Sequence, residues 1–412
     1  MMHITGVERT LVDAGQGSRP GRHMRRLPGN WSISEVCKVS TDVGLVGWGE
    51  TLPNYTWGSP NVTEQAIARV VGHSPSEFLW DDGLGAGLQQ AMFDLTGKAL
   101  DVPAYRLFGE KIRDWCPIAW WCIDMPPEDW VAEAEEAFAA GYSAFKFKAR
   151  PWFDLVAQVR AISATTSYNA TFDLDFNGWL LDVGTATRVL AELEEFAKVH
   201  ILETPIPQND VGGNKVLRSR LTRPIAMHFG SPPFLTAIRE GVCDGFVVGH
   251  GAYANRSQNH LAAEANMPCW LQLVGTGITT AFAAHQGAAY AAARWPAVTC
   301  LNTFANDLLV EPLRIEAGYL RVPEAPGLGI EIDEDALERL HVPESDIGPP
   351  IRAIYSIQWG NGRKACYTGV DRYQQDFMLG NYPAFERGVN LSVEEDDGSV
   401  EFNDLYNRVD ED

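Results

Sequence analysis

Between Trp115 and about Thr303, short apolar runs alternate with amphipathic segments at a nearly constant interval. The runs end at Cys122, Lys148, Asp175, Glu203, His228, Gly249, Leu273 and Asn302, and from Lys148 onward these ends fall 21 to 29 residues apart. One strand, one crossover helix and two short loops need about that length. Parallel neighbours cannot be joined by a hairpin, so the repeat restricts this stretch to an α/β fold. Eight such runs predict a closed (β/α) barrel of the TIM type over an open doubly wound sheet. Helices are expected at Pro127–Ala140, Phe153–Ala164, Ala186–Ala197, Pro233–Glu240, Gln258–Ala265 and Ile278–Ala293. The first begins with proline and acids and stops at Gly141. Gly275-Thr276-Gly277 lacks the third glycine and the downstream acid of a dinucleotide fingerprint.

Flanking segments follow other patterns. Residues 1–115 read as a small α+β unit, with strands at Ile4–Val12 and Ile33–Thr41 around a glycine- and arginine-rich loop, Gly15–Arg26. The barrel is expected over 116–305 and a closing segment over 306–345. Residues 346–412 form an acidic extension without an assigned role. Its acidic runs read as a solvated tail, and its aromatics (Tyr355, Trp359, Tyr373 and Phe377 among them) read as packing on something such as a neighbouring subunit.

The net charge of −21, from 54 acidic and 33 basic residues, argues against a nucleic-acid partner. Seven scattered cysteines without a CxxC pair argue against a disulfide framework or a zinc–thiolate site. Without a bilayer-length apolar run or an apolar core in Met1–Arg9, no membrane association is expected. The expectation is a cytoplasmic, homo-oligomeric protein acting on a small molecule.

In a (β/α) barrel the C-terminal strand ends converge on one site. Ser143–Ala149 alternates apolar residues with Lys146 and Lys148, which a strand would point to one side. Alone, the pair reads equally as an edge strand guarded by lysines. Asp175 and Glu203, each alone a plausible helix cap, end the next two strands, His228 ends the following one, and His250 lies beyond the sixth. Two carboxylates and a histidine are donors suited to Mg²⁺ or Mn²⁺.

The same residues carry a family pattern. Gly47-Trp48-Gly49-Glu50, Phe93-Asp94-Leu95-Thr96-Gly97-Lys98-Ala99-Leu100, Lys146-Phe147-Lys148, Asp175-Phe176-Asn177, Glu203-Thr204-Pro205-Ile206-Pro207 and Pro326-Gly327-Leu328-Gly329 occur in that order. Over about residues 1–335 the chain resembles the enolase superfamily, on its mandelate racemase and muconate lactonizing enzyme side. The resemblance implies a modified (β/α)₇β barrel under an N-terminal capping domain, with 306–345 completing the cap. It implies Mg²⁺-assisted proton abstraction α to a carboxylate. Asp175 and Glu203 match the first two metal ligands, Lys148 the base and Lys146 the lysine beside it.

Departures from the family are equally specific. His228-Phe229 stands where an acidic third ligand is usual, leaving His228 open as ligand or acid–base group. Val247–Gly251 lacks the second lysine of muconate-type members, and Trp270–Gly275 lacks the histidine of mandelate-type ones. His250 remains as the second acid–base candidate. Asn177 is a substrate-facing candidate; so, in the capping domain, are His23, Arg25, Trp31, Tyr55 and Trp57, because loops Gly15–Trp31 and Leu52–Pro60 should close over the barrel mouth. Dehydration of a sugar acid is the expected reaction. A racemase, epimerase or cycloisomerase is the alternative, and a non-catalytic metal- or acid-binding relative the reading of another class.

Overall fold

A computed structural model describes residues 2–27, 29–53, 55, 61–343 and 350–411; Trp57 lies outside them. The chain opens with an antiparallel sheet, β1 (Ile4–Asp13), β2 (Ile33–Thr41) and β3 (Val46–Thr51), in that order. Helix Ala86–Ala99 lies directly on β3. A side chain at Gly49 would collide with the Gly87 carbonyl, so the glycines of the Gly-Trp-Gly-Glu run serve this close approach. Within the loop expected between the first two strands, Ser18–Met24 forms a short helix.

Strand β4 (Trp115–Pro117) precedes seven parallel strands: β5 (Ala119–Cys122), β6 (Ala144–Lys148), β7 (Thr171–Asp175), β8 (Val199–Glu203), β9 (Ile225–His228), β10 (Gly245–Val248) and β11 (Cys269–Leu271). The eighth run contributes bridges, not a regular strand. Ala297 pairs with Ile118 and Val298 with Gln272, which closes β11 onto β5. Asn302, expected as a strand end, lies in a short 3₁₀ turn and hydrogen-bonds the Trp121 backbone through its amide. The fold is thus a modified (β/α)₇β barrel with an α+β N-terminal unit.

Period-two alternation sorts β6. Phe145 and Phe147 face the outer helices, against Phe138 at 5.6 Å and Trp130 at 4.3 Å between ring centroids. Burying each ring contributes roughly 2 kcal/mol. Lys146 and Lys148 face the opposite way, into the barrel. An unexpected helix, Val211–Arg220, lies between β8 and β9, capped by the Asp210 carboxylate. Its polar sequence and Gly212-Gly213 hide it from a periodicity reading. Helix Ala252–Glu264 is longer than the expected Gln258–Ala265.

Strands β12 (Ile315–Glu316) and β13 (Tyr319–Arg321) pair back onto β4. Beyond residue 350 the chain builds a second α+β unit, correcting the reading of a solvated tail. Strands β14 (Ala353–Gln358), β15 (Lys364–Tyr367) and β16 (Asn390–Glu395) form an antiparallel sheet with β14 central, joined by helices Val370–Met378 and Val400–Glu411. Its aromatics need no neighbouring subunit for burial. Tyr355, Trp359, Tyr373 and Phe377 form one core with Trp152 and Phe153 of the barrel. Acidic residues hold it too: Glu395 pairs with Arg25 and Asp396 with Arg352. Among the described residues no helix is long and apolar enough to cross a membrane.

Candidate active site

The register of β6, β7 and β8 sets Lys148 beside Asp175 and Asp175 beside Glu203. Three strand-end side chains therefore stand abreast at one level of the barrel. His228 ends β9, two residues beyond Ala226, the partner of Glu203. It returns to the same side, with Nε2 3.1 Å from Glu203 Oε1. Lys148 Nζ donates to Asp175 Oδ2 at 2.5 Å and to Asn177 Oδ1 at 3.1 Å. Lys146 pairs with Glu203 and lies 3.9 Å from Asp175 Oδ2, its ammonium 4.5 Å over the Trp270 ring.

Burial governs the charges here. It pushes Lys146 down to about 8 against the pull of Asp175, with Lys148 adding to the fall. Burial alone would raise Asp175, but Lys148, Lys146 and Arg150 outweigh it and hold the carboxyl below its ordinary range. His228 is pushed down to about 4, again by burial first, with Asp175 opposing. Its imidazole is accordingly neutral at pH 7 and offers a lone pair.

Both oxygens of Glu203 are buried and receive no hydrogen bond of good geometry; what faces them is the Lys146 ammonium and the His228 ring. A fully buried carboxylate so placed needs a cation. Among the described residues no three His, Cys, Asp or Glu side chains stand together as a ready-made metal cage, and each of the two carboxylates is paired with a lysine. Two carboxylates and a neutral imidazole nevertheless match the donor chemistry of a divalent-ion site.

Beside these groups lies a cavity of about 950 Å³, whose lining does not include the buried Asp175 and Glu203. Lys146, Lys148, Asn177, His228, Trp31 and Tyr55 line it, as the sequence pattern leads one to expect. Three other candidates lie elsewhere. His23 contacts Asp129 at 2.7 Å, and exposed Arg25 pairs with Glu395. His250 sits in a separate small pocket with Leu52, Tyr55 and Leu273, its backbone N–H donating to Asn255 Oδ1.

Sequence reasoning missed Arg150, Trp152, Gln272 and the wall formed by Asp371, Gln374, Gln375 and Met378. Arg150 continues the alternation of Lys146 and Lys148 by one more step, so its signal was present. Its Nη2 donates to Asn177 Oδ1 at 2.7 Å.

Residues 129–336, just over half the chain, match the family described as Enolase C-terminal domain-like. The chain belongs to this family, on the mandelate racemase and muconate cycloisomerase side of the enolase superfamily. It is 29% identical to the D-xylonate dehydratase of Haloferax volcanii, over 81% of this chain and 88% of that one. To the D-galactonate dehydratase of Variovorax paradoxus it is 24% identical, over 76% and 92%. The crystal structure of N-succinyl Arg/Lys racemase from Bacillus cereus superimposes with a TM-score of 0.68 at 22% identity, covering 82% of this chain and 98% of its own. These superfamily relatives are enzymes that include sugar-acid dehydratases and racemases.

Proposed function

We propose that this chain is a sugar-acid dehydratase that abstracts the proton α to the carboxylate and expels the β-hydroxyl as water, giving a 2-keto-3-deoxy acid. The observation that carries the reading is the row Lys148, Asp175 and Glu203 at adjacent strand ends, with Lys148 lining the cavity and the two carboxylates buried behind it. Named dehydratases of D-xylonate and D-galactonate among the relatives support the substrate class.

Lys148 is the base. Both lysines line the cavity, but the Lys148 side chain is 15% exposed whereas Lys146 is 2% exposed, its ammonium held over the Trp270 ring. Lys146 acts as the neighbouring cation, stabilising negative charge that develops on the substrate. Asp175, Glu203 and His228 would hold a divalent ion, Mg²⁺ or Mn²⁺. When bound, that ion supplies electrostatic stabilisation of the charge developing on the substrate carboxylate. Neutral His228 suits ligation better than proton donation, and His250 lies outside the cavity lining. The departing hydroxyl therefore takes its proton from the lysine that removed the α-proton. Because His250, the candidate for a second acid–base group, does not line the cavity, racemisation is less well supported. Every residue invoked comes from one chain.

The test is a panel of mono- and diacid sugars incubated with the protein and Mg²⁺ or Mn²⁺ in D₂O. Loss of an α-proton NMR signal and a 2-keto-3-deoxy product are expected for at least one acid. Absence of exchange with every acid would sink the enzyme reading in favour of a binding protein.

A further inference from the structure

Helix Val370–Met378 carries two stripes. Val370, Tyr373 and Phe377 are buried in the core shared with Trp152. Asp371, Gln374, Gln375 and Met378 recur at helical spacing on another face and line the large cavity. This unit lies beyond the residues that match the family, so the wall is an addition to the site carried by the chain itself.

The helix is held in place from several sides. Trp152 packs on Tyr373 and Phe377 with centroids at 4.9 and 5.9 Å. Asp154, in the same barrel loop, accepts from Gly388 N at 2.8 Å and pairs with Arg387. The cavity face thus presents polar groups on a fixed support, with two carboxamides, one carboxylate and no cation. Arg372 pairs with Asp410 at 3.0 Å. Carboxamides both donate and accept, which suits hydroxyl groups. A carboxylate accepts from hydroxyls but repels a second carboxylate.

Building on the sugar-acid reading above, we propose that Asp371, Gln374 and Gln375 form the distal specificity wall. They bind the terminal hydroxyls of an extended polyhydroxy monocarboxylic acid whose carboxylate end lies at Lys148 and Asp175. The wall selects long acids over short ones and monoacids over diacids.

Titration calorimetry on the full-length protein tests this with a four-carbon aldonic acid, a six-carbon aldonic acid and the six-carbon diacid. The unaltered protein is expected to prefer the six-carbon monoacid. Gln374→Ala/Gln375→Ala is expected to shrink the six-to-four-carbon affinity ratio about tenfold, the worth of one or two hydrogen bonds. Asp371→Asn is expected to narrow the margin against the diacid. A ratio unchanged in the double variant, or no chain-length preference in the unaltered protein, overturns the proposal. Exchange of the α-proton in the same samples reports on the catalytic reading separately: binding with the expected ratios but without exchange sinks the dehydratase and leaves the wall standing.

Discussion

Trp152 and Tyr373 meet edge to face with ring centroids 4.9 Å apart, so the loop after β6 and the C-terminal unit share one core. Trp152 Nε1 also donates to Asp124 Oδ2 at 2.6 Å, and the same oxygen pairs with buried Arg26 at 2.5 Å. Barrel, N-terminal unit and C-terminal unit are therefore joined through a few side chains at the mouth of the cavity. Tyr373→Ala is expected to cost about 4 kcal/mol, as large aromatic-to-alanine changes in packed cores do. The Tyr373 hydroxyl is buried with no hydrogen-bond partner among the described residues, so Tyr373→Phe is expected to be neutral or stabilising by about 1 kcal/mol. Urea unfolding of both variants measures the contrast. Equal losses would contradict this packing.

Lys148→Ala should lower α-proton exchange by roughly 10²–10⁴-fold, the usual worth of a general base. Metal binding should persist, since neither carboxylate is altered. Solvent-deuterium exchange followed by NMR gives the first quantity and Mn²⁺ titration the second. Retained exchange would mean that another group removes the proton.

Glu203→Gln separates the metal site from the base. Its carboxylate is fully buried between Lys146 and His228. At a hundredfold excess over its dissociation constant, Mn²⁺ should stabilise the unaltered protein by about 2.7 kcal/mol. The increment should vanish in the variant and on adding a chelator. A Glu203→Gln protein still stabilised by Mn²⁺ would remove Glu203 from the ligand set.

The barrel was legible because its signal is local and repeated: each βα unit needs a fixed length, and each strand end is visible in its own few residues. Lys146, Lys148, Asp175, Glu203 and His228 followed from that rule. His250 did not join them at the cavity. Strand β10 ends at Val248, and two residues later the chain has already turned toward helix Ala252–Glu264, with the His250 N–H bonded to Asn255. The C-terminal wall was illegible for a different reason. Asp371, Gln374 and Gln375 reach the cavity only because Tyr373 and Phe377 pack on Trp152, more than two hundred residues earlier in the chain. No local pattern records such a contact.

His285 provides a pH test of the fold that is independent of the reaction. It is fully buried in helix Gly277–Ala289, its Nδ1 accepting from Tyr105 N–H at 3.2 Å and its Nε2–H donating to the Leu328 carbonyl at 2.9 Å. Those partners require the neutral ring, and burial pushes the imidazole down to about 4 from its ordinary 6.5. The folded state thus binds fewer protons than the unfolded chain between these values. Stability from this residue is fully present above about pH 6.5 and falls as pH drops toward 4, by roughly 3 kcal/mol in total. Urea midpoints at pH 7, 5.5 and 4 should decline along that window. In His285→Gln the decline should be shallower from a lower starting stability. Parallel declines in the two proteins would show that His285 is not the group responsible.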